Sequence, residues 1–293
     1  MVSVVIPAHN EAGVVGRLLG GLLAEAEPGE IEIWVVANGC TDDTAEVAGR
    51  YGPDVNVLVS PVPNKHAAMR LADEHAKGFP RLYVDADVEL GASSVRAIAA
   101  ALEASDVLAA GPERGWPADG RPWTVRWFYD VWHQFPTVRT GLFGRGVVGV
   151  SQEGYERLRA LPPLQGDDLA ASLAFPAEQR RVVPEARAVV HPPRSLSALL
   201  KIRTRALVST AQAADDPQLA AVSDSARTSW GTCGTSPWRR RCATARRSPG
   251  SSESRSLPDF GPGAQSVPET SRPGTATRPP GKHDPGVSRL IPG

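Results

Sequence analysis

The chain has 293 residues, of which 41% are hydrophobic, and it carries 32 basic and 32 acidic side chains. This length allows one large domain or two small ones. The zero net charge argues against a nucleic-acid-binding protein, which usually has a basic excess. The sequence also contains no apolar run of the roughly 18 residues that suggest a membrane-spanning helix.

The start of the chain and its cysteines favour a reduced, cytoplasmic protein. Met1 is followed at once by the β-branched run Val2–Pro7, without a basic leader or a small-residue cleavage site, so we expect no signal peptide. Cys40, Cys233 and Cys242 have the spacing of neither a disulfide framework nor a zinc cluster.

Strands and helices alternate along the first part of the chain. Helical spacing of apolar residues separates the predicted helices from the β-branched runs of the predicted strands. The predicted order is strand Val2–Pro7, helix Ala12–Ala26, strand Ile31–Ala37, helix Thr41–Tyr51 with Thr41 as its N-cap, strand Val55–Val59, helix Lys65–Lys77 and strand Arg81–Val84. Buried strands joined by helices indicate an α/β fold with a mostly parallel central sheet flanked by helices.

Three polar loops follow predicted strands. They are Pro7–Glu11 after the first strand, Asn38–Thr44 after the second and Asp85–Asp87 after the fourth. Each alone fits ordinary turn and cap chemistry. Because ligands of such sheets bind beyond the carboxyl ends of the strands, the three loops together predict one binding crevice.

Asp85-Ala86-Asp87 is the sharpest of these motifs. Two carboxylates at the end of a buried strand repel each other unless a cation lies between them. Mn²⁺ or Mg²⁺ suits such oxygen ligands and is often shared with substrate phosphates. A solvated acidic loop is the alternative.

The three motifs in this order resemble the family 2 glycosyltransferases of the GT-A fold, over residues 2–210. The resemblance implies a single GT-A-like domain, a nucleoside-diphosphate sugar as donor, an Mn²⁺ or Mg²⁺ cofactor and inversion at the anomeric carbon. It also assigns donor-site roles to matching positions: Pro7, His9 and Glu11 lie in the nucleotide pocket, and Asp85 and Asp87 bind the metal and the sugar nucleotide. Asn38 stands where the family commonly has an Asp that contacts the base, and because an amide both donates and accepts, the identity of the base stays open. Lys65 resembles a basic residue that holds the donor, although a solvated residue at the start of a helix explains it equally well.

The resemblance also suggests roles for later residues. Asp168 matches the catalytic base, with Asp167 beside it, and Arg203 and Arg205 resemble a basic cluster that meets the diphosphate. The alternatives are acids favoured by a helix N-terminus and a solvated basic helix face. His191 is a candidate metal ligand, although a structural histidine explains it as well.

The aromatic segment Trp116–Pro136 holds four of the seven tryptophans. Core packing explains most of it, but aromatic faces also suit sugar rings or the surface of a membrane. We therefore expect a cytoplasmic location, with contact at the inner face of the membrane left open. The sequence leaves lipid-linked, polysaccharide and small-metabolite acceptors open, and a nucleotidyltransferase or a non-catalytic sugar-nucleotide-binding protein are the alternative functions.

Residues 223–293 differ in composition from the domain that precedes them, which we place at residues 1–222. They are rich in Arg, Ser, Pro, Gly and Thr and lack periodicity, so we expect a disordered tail. From about Ser229 onward the composition also fits GC-rich DNA read out of frame, and our hypothesis is that this part is a frameshift product.

A pair of substitutions tests the proposed base. The Asp168→Asn variant keeps the size of the side chain but cannot accept a proton, so we expect donor binding to persist and sugar transfer to fall about 10²–10⁴-fold. The Asp167→Asn variant is the matched control and should lose less. Transfer rates of the two variants measure this, and a larger loss for Asp167→Asn would reverse the assignment.

Overall fold

The computed structural model describes residues 1–104, 106–160 and 172–215. The strands are β1 (Val2–Ala8), β2 (Ile31–Asn38), β3 (Val55–Ser60), β4 (Arg81–Val84), β5 (Glu89–Leu90), β6 (Ala109–Gly115), β7 (Val147–Val150) and β8 (Arg180–Val189). The helices are α1 (Val15–Leu23), α2 (Thr44–Gly49), α3 (Lys65–Asp73), α4 (Ala92–Glu103), α5 (Trp123–Trp132), α6 (Pro136–Thr140), α7 (Gln152–Arg159) and α8 (Leu196–Asp215). A 3₁₀ turn, Ala177–Gln179, precedes β8.

All strands belong to one sheet with the order β3-β2-β1-β4-β7-β6-β8-β5. β3, β2, β1 and β4 run parallel, as predicted. β7 runs antiparallel to both β4 and β6, while β8 is parallel to β6 and antiparallel to β5. The domain is therefore α/β with a mixed, mostly parallel sheet, and the prediction of the fold class is confirmed.

β1 lies at the centre of the parallel half and has apolar residues on both faces. Val4, Val5 and Ile6 are completely buried, because helices cover both sides of the sheet. α1 packs its apolar stripe, Val15, Leu18, Leu19 and Leu22, into the same core. This packing fixes where β1 ends, and so where the loop after it begins.

All three predicted helices begin or end elsewhere. α1 spans Val15–Leu23 and is shorter at both ends than the expected Ala12–Ala26. The helix expected over Thr41–Tyr51 begins only at Thr44, and Thr41 is not its N-cap, because the Thr41 amide and hydroxyl both donate to Asn10 Oδ1 in the neighbouring loop. α3 begins at Lys65 as predicted, with Asn64 Oδ1 accepting from the Ala67 amide as an N-cap. It ends at Asp73, earlier than expected.

Several predictions concern residues outside the described ranges: the acidic pair Asp167 and Asp168, the domain boundary at residue 223 and the tail that follows it. Among the helices that are described, none is long and apolar enough to cross a membrane.

A buried arginine holds together the segment that precedes β7. Arg145 is 4% exposed, and its guanidinium donates to the carbonyls of Gly141 (2.8 Å), Pro112 (2.9 Å), Val138 (3.2 Å) and Arg139 (2.8 Å). Burial lowers the pKa of Arg145 to about 10, which leaves it charged at neutral pH. The side chain thus ties the end of α6 and strand β6 to the loop that leads to β7.

Replacing this arginine should destabilise the domain. The Arg145→Met variant keeps much of the side-chain volume but leaves buried carbonyls without donors, so we expect the free energy of unfolding to fall by about 3 kcal/mol or more. Arg139→Met, the same change at an exposed position of α6, is the control and should alter stability little. Urea unfolding of both variants checks this, and equal losses would mean that the carbonyl contacts of Arg145 contribute little.

Candidate active site

The three polar loops meet at one edge of the sheet, as predicted. β1 lies between β2 and β4 and runs parallel to both, so the carboxyl ends of the three strands point the same way. Pro7–Glu11, Asn38–Thr44 and Asp85–Asp87 extend these ends.

The first two loops are fastened to each other by polar side chains. Asn10, whose φ of 57° lies in the left-handed region that Asn tolerates, accepts at Oδ1 from the Thr41 amide (2.8 Å). The Thr44 hydroxyl accepts from the Glu11 amide (2.8 Å) and donates to Asp42 Oδ1 (2.5 Å). Glu11 is therefore held in place through its own backbone. Sequence reasoning missed this role of the second loop, although its run of short polar side chains was a usable signal.

Asn38 is 3% exposed and turns its amide inward. Its Nδ2 donates to the carbonyls of Ala8 (2.8 Å) and Val36 (3.3 Å), while His9 Nδ1 lies 2.7 Å from the Asn38 carbonyl oxygen. A carboxylate could not donate these bonds. The Asn38 amide thus joins the ends of β1 and β2.

Asp85 lies in an open cleft at this edge. Its backbone amide donates to the Gly146 carbonyl (2.8 Å), and its carboxylate forms an ion pair with Lys65 Nζ (2.6 Å). Gly146 has a φ of 67°, and a side chain there would overlap Val88, so glycine is required at this wall. The cleft is lined by Pro7, Lys65, Met69, Tyr83, Val84, Asp85, Gly146, Val147, Val148 and Leu158.

Asp87 and Glu11 give the site an excess of negative charge. Burial, followed by repulsion from Asp85, raises the pKa of Asp87 above its ordinary value. Burial also raises the pKa of Glu11, with further contributions from Asp87, Asp42 and Asp85. Ionising these carboxyl groups therefore lowers the stability of the folded protein, and a bound cation would offset this loss.

His191 and Arg17 surround the second acidic residue. Arg17 donates through Nη2 to the Asp87 carbonyl oxygen (3.1 Å) and lies near Glu89 (3.4 Å). His191 Nε2 is 2.7 Å from Glu89 Oε1, and the ring is close enough to Asp87 to affect the pKa of that carboxyl. The structure therefore places His191 beside the acidic cluster and in contact with Glu89.

The residues present fit a divalent cation that is shared with another ligand. In the described part of the chain, no three His, Cys, Asp or Glu side chains form a complete metal-binding group. A cation that keeps several waters and takes only one or two carboxylates, as Mg²⁺ does with substrate phosphates, suits Asp85 and Asp87. The raised pKa of Asp87 supports this fit.

The basic residues of α8 lie in a different environment. The Arg203 guanidinium lies 5.5 Å from the ring centroids of both Phe128 and Trp132, and burial lowers its pKa. Arg205 is exposed on the same helix. The aromatic segment is divided in a similar way: Trp132 is buried, whereas Trp123 and Trp127 are among the exposed large apolar residues.

Residues 3–151 match the family model described as glycosyl transferase family 2. A curated relative, the 4,4'-diaponeurosporenoate glycosyltransferase of Staphylococcus aureus, is 34% identical over 91 residues, which are 29% of this chain and 24% of the relative. The matched part thus spans about a quarter of that relative's length.

Solved structures share the fold at low identity. A mannosyltransferase from Pyrobaculum calidifontis in complex with GDP-Man and Mn²⁺ has a TM-score of 0.60 at 20% identity, over 83% of this chain and 73% of that one. Glucosyl-3-phosphoglycerate synthase from Mycobacterium tuberculosis, in complex with Mn²⁺, UDP and glucosyl-3-phosphoglycerate, has a TM-score of 0.54 at 17% identity, over 75% of this chain and 80% of that one. These similarities show the GT-A fold.

The charge on Asp87 should lower the stability of the metal-free protein. Because its pKa is raised in the folded state, the folded chain binds this proton more tightly than the unfolded chain, and the stability gained at low pH is lost as pH rises through the raised pKa. We therefore expect the Asp87→Asn variant, without divalent cations, to melt at a higher temperature than the parent at pH 7. The difference should shrink as the pH falls.

Thermal unfolding at several pH values, in the presence of a chelator, measures this effect. The control is Asp54→Asn, the same change at an exposed position before β3, which should shift the melting temperature little. A lower melting temperature for Asp87→Asn at pH 7 would contradict the repulsion inferred for the site.

Proposed function

The chain belongs to glycosyl transferase family 2, and from this we propose that it transfers a sugar from a nucleoside diphosphate to an acceptor hydroxyl with inversion at the anomeric carbon. The observation that carries the proposal is the acidic edge where β1, β2 and β4 end, at which Asp85 and Asp87 of one short loop lie close enough to Glu11 for their charges to affect its pKa. Membership of a glycosyltransferase family argues against the nucleotidyltransferase and non-catalytic alternatives.

The donor would bind along this edge. Lys65 offers an ammonium group next to Asp85, where it can bind a donor phosphate. Pro7 lines the same cleft, and His9 and Glu11, which follow it in the loop after β1, would extend the nucleotide pocket. Asn38 acts in our proposal by fixing the ends of β1 and β2, which sets the shape of the nucleotide pocket. The complexes of the two structural neighbours with GDP-Man or UDP support a donor of this class.

Asp85 and Asp87 would hold Mn²⁺ or Mg²⁺, and His191 could join them only by leaving Glu89. When bound, such an ion neutralises the negative charge that develops on the diphosphate leaving group. Both structural neighbours were solved with Mn²⁺, which supports the choice. Lys65, which is paired with Asp85, would add its positive charge to that of the ion.

The acceptor hydroxyl would attack the anomeric carbon from the face opposite the diphosphate, which inverts that centre. We assign the proton transfer from this hydroxyl to Asp168, on the basis of its place in the family motif, with Asp167 in a supporting role. Arg205 is our candidate for a contact with the diphosphate. Arg203 could join it only by leaving Phe128 and Trp132, so its first role is to position α8.

Metal-dependent donor binding tests the proposal directly. With Mn²⁺ present, one of UDP, GDP, ADP, CDP and dTDP should raise the melting temperature of the protein, because a ligand that binds only the folded state stabilises it. At a ligand concentration of about 100 Kd, the stabilisation is about 2.7 kcal/mol. The chelator EDTA and the Asp85→Asn variant should each remove the shift.

The matched control is Asp119→Asn, the same change at an exposed turn, which should retain the shift. If a nucleotide bound at full affinity in EDTA, only the role of the metal would be contradicted, and the proposed donor class would stand. If none of the five nucleotides bound with Mn²⁺, the proposed donor class would be wrong.

A further inference from the structure

A lysine lies beside the acidic loop after β4, where a divalent cation would bind. Lys65 Nζ is 2.6 Å from Asp85 Oδ1. Burial, followed by repulsion from Asp85, raises the pKa of Asp87, and the Lys65 ammonium group is among the charges close enough to oppose this rise. One ammonium group thus acts on both carboxylates of the loop.

The backbone of α3 is fixed at both ends, whereas the Lys65 side chain has room to move. Asn64 caps the start of α3 with its side chain. At the other end, Asp73 Oδ1 accepts from the Tyr83 hydroxyl (2.9 Å) and from Arg81 Nη1 (2.9 Å), which ties α3 to β4. The Lys65 side chain is 46% exposed on a flexible four-carbon stem, so its ammonium group can leave Asp85 while the backbone stays in place.

Lys65 and a divalent cation would compete for Asp85. Both Lys65 and Asp85 line the same open cleft, and the ion pair uses a carboxylate that the cation needs. A cation and an ammonium group on one carboxylate would be close neighbours, and like charges at short range repel each other. The ion with the larger charge is therefore favoured once it is present.

We propose that the Lys65 ammonium group takes the place of the cation when no divalent ion is present, and that it leaves Asp85 when such an ion binds. The inference rests on the metal site of the proposed function and adds an order of events to it. Without the ion, the charge of Lys65 is used by Asp85. With the ion, the ammonium group is released within the same cleft and becomes available to a donor phosphate.

This exchange predicts opposite effects of removing the ammonium group. In the Lys65→Met variant, Mn²⁺ alone should bind about two- to fivefold more tightly than in the parent, because a partly exposed competing ion pair is lost. A nucleoside diphosphate together with Mn²⁺ should bind about tenfold more weakly, because a charged hydrogen bond to phosphate is lost. A lysine that is needed only for the fold would weaken both.

The electron paramagnetic resonance signal of free Mn²⁺ measures binding of the ion without any nucleotide. Arg17→Met is the control for charge, because Arg17 donates to the Asp87 carbonyl rather than to a carboxylate of the motif, and it should change the Kd for Mn²⁺ by less than about twofold. Lys77→Met, the same change at an exposed position after α3, should bind like the parent.

Lysine acetylation reports the release of Lys65 directly and needs no substitution. The chain has four lysines, Lys65, Lys77, Lys201 and Lys282, so mass spectrometry can assign each modified peptide. Mn²⁺ should raise the acetylation rate of Lys65 about twofold or more relative to Lys77 and Lys201, because an amine that leaves a carboxylate is open to the reagent. EDTA should reverse this change, and whichever of UDP, GDP, ADP, CDP and dTDP binds with Mn²⁺ should protect Lys65 again.

Several results would overturn the exchange. They are an unchanged acetylation rate of Lys65 in Mn²⁺, no binding of Mn²⁺ to the parent, and a Kd for Mn²⁺ that is equal or higher in Lys65→Met than in the parent. Failure of the proposed function looks different: Mn²⁺ would still release Lys65, but none of the five nucleotides would bind or protect it.

Discussion

The repulsion among the carboxylates at the end of the parallel strands is the constraint on which the site depends. Asp85 and Asp87 follow β4, Glu11 follows β1 and Asp42 follows β2. Burial, followed by repulsion from the neighbouring carboxylates, raises the pKa of Glu11 and of Asp87. Three separate strands must end together to place them so. The buried, doubly covered β1 between β2 and β4 provides that alignment, and its packing stabilises the sheet against the electrostatic cost.

Most of the polar contacts around the site fix the loops against this repulsion. The Thr44 hydroxyl, itself bonded to Asp42, accepts a hydrogen bond from the backbone amide of Glu11. The buried Asn38 amide donates to the Ala8 carbonyl and so connects the ends of β1 and β2. Lys65 supplies the counter-charge for Asp85. Asp87 has no counter-charge as close among its described contacts, which are to backbone groups and to more distant cations. The two aspartates of the motif are thus unequal, and Asp87 is the one whose charge most requires a bound cation.

The sequence predicted those parts that depend on local pattern. Alternating apolar runs located β1, β2 and β4 within a residue or two, and the placing of polar loops after them located the site. The start of α2 was wrong because Thr41 donates to Asn10 across the loop, a contact between segments that a propensity argument does not contain. The antiparallel β7 and the stacking of Arg203 on α5 also depend on pairings between distant parts of the chain.

α5 is tied to the wall of the Asp85 cleft through its C-terminal end. Trp132 packs close to Gly144, two residues before Gly146 in the wall of that cleft. Gly146 has a positive φ and no room for a side chain beside Val88, so this wall depends on the backbone path that the packing of α5 and the carbonyl contacts of Arg145 hold in place. The cleft is thus shaped from both halves of the sheet, by the loops after β1, β2 and β4 and by the segment before β7.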